Sequence, residues 1–221
     1  MPGPIAGVRF IHVALEREAA AIEEQAVALH DAHGARALDD RVAFFERVNA
    51  YHTQGEELAI FPRLQEIAPH QAEPYLIDHE DERALFAEIR TLLAHLASAP
   101  MLDAKAHARV ARQTAALHDA LALHIRKENE LLVPLLDMAF PVGEQAAIVG
   151  KVIAAFPPAE MPLVLPWLVG WLSPADRESY MREMTRVAPP PVVAMAAGWL
   201  AAKLPADAWE DLKRRLPELG A

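Results

Sequence analysis

His52-Thr53-Gln54-Gly55-Glu56 and His124-Ile125-Arg126-Lys127-Glu128 are two versions of one phrase. The first is followed by Phe61-Pro62-Arg63-Leu64 and the second by Val133-Pro134-Leu135-Leu136, so a proline trails each histidine by ten residues. On a helix, four residues make one turn plus about 40°, which sets imidazole and carboxylate on the same side about 6 Å apart along the axis. Two such nitrogen–oxygen pairs facing each other across a helical bundle are what a dinuclear metal site requires.

His-x3-Glu alone is weak: with ten histidines and twenty glutamates one such pair is an expected coincidence, and His12-x3-Glu16 is a third. A partner histidine upstream strengthens the other two. His12 precedes His52 by 40 residues and His79 precedes His124 by 45, so "His, then His-x3-Glu-x5-Pro" occurs twice, as an internal repeat. In an antiparallel hairpin, residues equally far from the loop share a height. His12 lies 22 residues before Gly34 and Glu56 lies 22 after it, while His79 lies 21 before Pro100 and His124 lies 24 after. His12, His52, Glu56, His79, His124 and Glu128 can therefore meet in one layer. The other histidines do not share that layer and face: His30, His33, His70 and His107 suit helix ends, and His95 and His118 are rotated away.

Around these residues the chain reads as all-α. Apolar residues recur at helical spacing, and no stretch shows strand alternation. Four long helices are expected in residues 1–138: Pro4 to Ala32 with a stop at His33-Gly34, Asp39-Asp40 to Ala68-Pro69, Glu73 to Ala97 with a stop at Ser98-Ala99-Pro100, and Asp103 to Met138. Such short connections give an up-down-up-down four-helix bundle. Pro62 and Pro134 should kink the second and fourth helices about two turns after the glutamates, and Gly55 allows a neighbour to approach closely.

A boundary is expected near Phe140-Pro141. All ten histidines precede residue 125, all four tryptophans follow residue 166, and most of the net charge of −10 falls before the boundary. Residues 139–221 read as a smaller helical region of unknown role, with segments 142–155, 159–172, 174–187, 191–203 and 206–216. There Trp167, Trp171 and Trp199 are packing aromatics, and Ser173-Pro174-Ala175-Asp176 is a helix start.

Composition narrows the chemistry. No cysteine is present, which excludes thiolate zinc sites, iron–sulfur clusters and disulfides. The acidic balance disfavours nucleic acid and anionic membrane as partners. Met1-Pro2-Gly3-Pro4-Ile5 lacks the features of an export signal, and Met161 to Leu172 is too short to span a bilayer. A cytoplasmic protein is expected, and a monomer is slightly favoured.

The pattern His12, His52-x3-Glu56, His79, His124-x3-Glu128 resembles the hemerythrin-like cation-binding bundles over roughly residues 5–138. Residues 140–185, with Glu144-Gln145, Leu165-Pro166-Trp167 and Leu172-Ser173, are similar to segments that follow hemerythrin domains in plant iron-sensing ubiquitin ligases. The resemblance implies two iron ions per chain with an oxo or hydroxo bridge; manganese shares these ligand preferences. It departs from the oxygen carriers at Arg83, which stands where their third helix bears a second histidine. The expected site is nearly symmetric, one His from each helix with Glu56 and Glu128 bridging. Tyr51 and Tyr75 are further pocket or ligand candidates, each weighed against a partly buried core tyrosine. Arg83 and Glu16 are expected in supporting ion pairs, and Phe44, Phe45, Val48, Leu117 and Leu121 should keep the site dry.

Two functions follow from that reading. One is a di-iron protein, an oxidoreductase of peroxidase-like or NO-consuming type, binding O2, NO or peroxide under oxidative or nitrosative stress. The other is an iron- or oxygen-sensing module whose metal occupancy controls a protein partner through residues 139–221. Iron storage and simple oxygen transport fit less well, since the extra histidine is missing.

Overall fold

The computed structural model describes residues 3–99 and 101–220. Pro100, expected at the third helix stop, lies outside the described residues, as do Met1, Pro2 and Ala221. Among the described residues the secondary structure is helical, with no strand. The chain divides into two compact units. One holds Leu15–Phe156 with the N-terminal residues up to Ala6, and the other holds Gly7–Ala14 with Pro157 onward.

In the first unit the long rods are α1 (Arg9–Val27, from Leu15 on), α2 (Ala32–Ala59), α4 (Glu73–Ser98) and α5 (Ala104–Lys127). Between α2 and α4 lies α3 (Phe61–Ile67); beyond α5 come a π-helical turn (Glu128–Leu132), α6 (Val133–Ala139) and α7 (Val142–Ala154). Helix α2 packs on α4 and α4 on α5. Their buried residues repeat every three or four positions: Leu38, Val42, Phe45 and Val48 on α2, Phe86, Ile89, Leu93 and Leu96 on α4, Val110, Thr114, Leu117 and Leu121 on α5. That spacing is the apolar stripe of a helix facing a core. Phe45 and Phe86 meet edge to face at 5.3 Å near its middle.

The first turn falls earlier than expected. Helix α1 stops at Val27, and α2 starts at Ala32, ahead of Asp39-Asp40, so His33 and Gly34 sit inside its first turn. Asp31 explains this: its carboxylate accepts from the Gly34 N–H at 2.7 Å and caps the helix before Gly34 can end one. The proline breaks also come sooner than two turns after the glutamates. Helix α2 gives way at Ile60, and the π-helical turn begins at Glu128 itself. A proline clashes with the carbonyl four residues upstream, Leu58 for Pro62 and Glu130 for Pro134. The backbone relieves that clash by breaking in one copy and inserting a wider turn in the other.

Helix α7 belongs to this first unit although it lies past Phe140-Pro141. It packs on α2, and Gly55 makes that possible. A Cβ there would stand 2.9 Å from the Val152 carbonyl oxygen and 3.1 Å from its Cα. Gln145, 2% exposed, ties the start of α7 back by donating to the Phe140 carbonyl at 2.9 Å. With Ile60, Phe61, Leu64, Tyr75, Leu132 and Leu136, the residues Ile148 and Val152 form an apolar cluster that closes one end of the bundle.

The second unit is built from α8 (Met161–Trp171), α9 (Pro174–Val187), α10 (Pro190–Lys203) and α11 (Ala206–Arg215). Ser173 caps α9 by accepting from the Asp176 N–H at 3.2 Å. Arg177 closes the end of α8, donating to the Val169 and Gly170 carbonyls at 2.8 and 2.9 Å. Leu165, Val169, Met181, Leu200 and Leu212 form its core with Phe10 and Ala14, and all four tryptophans pack against it.

Candidate metal centre

The apolar stripes of α2, α4 and α5 are interrupted at one level. There α2 places His52 and Glu56, α4 places His79, and α5 with the following π-helical turn places His124 and Glu128. All five are at most 2% exposed, as is His12 on α1. Side chains at i and i+4 share a helix face, so each histidine lies over its own glutamate: His52 Nε2 is 3.4 Å from Glu56 Oε1, and His124 Nε2 is 3.4 Å from Glu128 Oε1. Across helices, His79 Nε2 is 3.5 Å from Glu56 Oε2. Glu56, His79, His124 and Glu128 each offer a ligand atom, all within 4.8 Å of one another. His12, His52, Glu56 and Glu128 form a second group by the same measure. The two groups share both glutamates.

The rings are held for this. His79 Nδ1 lies 2.9 Å from Glu57 Oε1, and Arg83 donates to the same oxygen at 3.1 Å. His124 Nδ1 lies 3.1 Å from Asp78 Oδ2, on which the Lys127 ammonium also closes. With Nδ1 engaged by a carboxylate, the proton rests there and Nε2 keeps its lone pair. The Nε2 atoms of His79 and His124 are buried and make no hydrogen bond among the described residues. Burial also pushes the His124 pKa down, against the pull of Glu128 and Asp78, which favours the neutral ring a metal needs.

Phe61 stacks on His79 with ring centroids 5.5 Å apart, and Tyr75 meets His124 edge-on at 6.1 Å. These aromatics roof the layer from the apolar end cluster, while Phe45, Val48, Leu117 and Leu121 lie buried in the bundle. Phe44, expected with them, is only half-buried and carries the Arg47 guanidinium over its ring. Burial first, then Glu128, Asp78 and Glu56, push the Tyr75 phenol up to about 12, so it stays protonated. Tyr51 packs edge-on against Phe156 at 5.7 Å. Glu16 is exposed, and Arg83 supports His79 through Glu57. His70, His95, His107 and His118 bind Glu73, Asp103, the Ala26 carbonyl and Glu23.

Sequence reading missed four residues here. Glu57 and Asp78 are invisible to spacing within one helix, because each reaches a histidine on the next. Asn49 and Glu82 continue the buried stripes one turn from His52 and His79. Asn49 Nδ2 donates to Glu82 Oε2 at 3.0 Å, and burial pushes the Glu82 carboxyl up to about 7. Their only sequence signal is a polar residue at a core position.

Residues 3–145 match the model of the hemerythrin HHE cation-binding domain. The chain belongs to that family. Beyond the hemerythrin domain, likeness extends to curated proteins of Arabidopsis thaliana. Zinc finger protein BRUTUS is 28% identical over 188 residues, 84% of this chain and 15% of that protein. Two BRUTUS-like zinc finger proteins are 24% and 25% identical over 63% and 69% of this chain, covering 11% and 12% of theirs. The chain thus spans less than a sixth of the length of these relatives. No solved structure matches it. The family is one of cation-binding domains, and with no cysteine in the chain the two histidine–carboxylate groups are the residues that could hold a metal here. Donors bound at about 2.1 Å to one ion stand roughly 3–4 Å apart, as the 3.4 and 3.5 Å contacts do. The donor set fits iron.

Proposed function

We propose that this hemerythrin domain holds two iron ions, one by His12 and His52 and the other by His79 and His124, with Glu56 and Glu128 bridging them. One observation carries the reading: two four-residue donor groups overlap in those two glutamates. Bound iron supplies redox chemistry and an open coordination position for a small diatomic or peroxidic ligand. The chain does the rest. Phe61, Tyr75 and the apolar end cluster exclude water from the layer, while Glu57 and Asp78 hold the proton at Nδ1 of their histidines. The protonated Tyr75 phenol next to His124 is a donor within the same wall. Oxidoreductase activity on O2, NO or peroxide is the function that arrangement supports best, and the same reading sets it in the cytoplasm, in oxidative or nitrosative stress.

Iron analysis of the purified protein tests the site. Two irons per chain are expected, falling below two in both Glu56→Ala and Glu128→Ala; unchanged stoichiometry in both overturns the bridging roles. Turnover of peroxide or NO, lost in His124→Ala, tests the activity.

A second reading has its own support. The likeness to BRUTUS runs over 188 residues, further than the hemerythrin domain itself. A module in which metal occupancy governs binding of a protein partner, through residues 139–221, accounts for that extent. No turnover, together with metal-dependent capture of a partner, selects this reading over the enzyme.

A further inference from the structure

His79 and His124 are backed in the same manner. Each Nδ1 sits on a carboxylate oxygen, and that same oxygen also receives a cation: Arg83 on Glu57, Lys127 on Asp78. The rings are sealed, 0% and 2% exposed, but the side chains behind them reach solvent. Glu57 is 31% and Asp78 24% exposed, Arg83 51% and Lys127 28%.

We propose that the Glu57–Arg83 and Asp78–Lys127 pairs set the donor strength of His79 and His124, and through it the affinity and reduction potential of the iron they hold. The proposal rests on the reading of these two histidines as ligands. A carboxylate on Nδ1–H draws the proton toward itself and enriches the ring in electron density. That makes Nε2 a stronger donor, which favours the higher oxidation state. A cation on the same oxygen withdraws part of that negative charge and weakens the effect. Carboxylate and cation therefore act on the metal with opposite sign. Glu57, Asp78, Arg83 and Lys127 are positioning residues, since none is placed on the metal itself.

A purely structural role makes a different forecast. If the pairs only pinned the helices, neutral acceptors would serve as well, and loss of any member would loosen the site in one direction.

The experiment uses the full chain loaded with iron, with potentiometric titration followed optically and iron affinity measured by competition against a chelator. Glu57→Gln and Asp78→Asn keep an acceptor for Nδ1–H and remove the charge. They are expected to raise the reduction potential and weaken iron binding about 10- to 100-fold. Arg83→Ala and Lys127→Ala are expected to lower the potential without weakening ferric binding. The Arg83 change lies at an exposed side chain, so it reports even if a carboxylate variant folds poorly. Shifts of the same sign in both classes, or none in either, overturn the proposal while leaving the metal site standing. Failure of the unaltered chain to take up iron overturns the site reading, and this inference with it.

Discussion

Glu82 is the residue least at home in its surroundings. It is 1% exposed, in a stripe otherwise occupied by Phe86, Ile89 and Leu93, with Asn49 as its hydrogen-bond donor. Burial pushes its pKa from 4.5 to about 7, against the smaller pull of Asn49 and His79. A shift of that size is worth roughly 3 kcal/mol. Below about pH 4.5 both folded and unfolded states hold the proton and the group costs nothing. Between that point and about pH 7 the unfolded chain ionises while the folded one does not, so stability falls as pH rises. Metal-free Glu82→Gln, which keeps an oxygen for Asn49, should therefore be more stable than the parent at pH 8 by up to roughly 3 kcal/mol. Its advantage should shrink toward pH 4.5. Denaturant unfolding at several pH values measures this, and parallel stability curves for the two proteins contradict it.

At the scale of elements, the repeat shows which parts of a fold local chemistry declares. The six residues named from spacing are all buried and fall into the two donor groups, because one helix turn brings His over Glu whatever the tertiary setting. The turn between the first two rods was misread for an equally local reason. Asp31 and His33-Gly34 compete to punctuate the same few residues, and the capping carboxylate wins. Pairings that cross from rod to rod, Glu57 to His79 and Asp78 to His124, leave no periodic trace in the chain. Nor does composition reveal that α7 lies on α2, although Gly55 hints at a close neighbour. Alanine at Gly55 decides how much that contact matters. Helix propensity favours Ala over Gly by about 1 kcal/mol, but the added carbon meets the backbone of Val152, which cannot swing aside. Overpacking of this kind costs about 1–3 kcal/mol. Gly55→Ala should be destabilising on balance and, with the adjacent Glu56 proposed as an iron ligand, should also loosen iron binding. A gain in melting temperature with full iron content would show that α7 yields at no cost.

For the whole molecule, the layer proposed to hold metal is a liability while it stands empty. Four imidazoles and two carboxylates are crowded into a level that is at most 2% exposed, where apolar side chains would pack at lower free energy. Metal that binds the folded chain and not the unfolded one repays this by mass action, about 4 kcal/mol when free iron exceeds its Kd a thousandfold. In a domain of this size that is a rise of roughly 10 °C in Tm. Chelation should reverse it. The Glu56→Ala and Glu128→Ala proteins should show little of the iron-dependent rise, and without metal they should melt at or above the metal-free parent, having shed a buried carboxylate each. Calorimetry of the three proteins with and without iron measures all of this together. A metal-free parent that outlasts both variants would mean that the glutamates serve the bundle itself, and that the layer is ordinary polar packing. The opposite order, with the parent weakest when empty and strongest when loaded, is what a scaffold built around its ions requires.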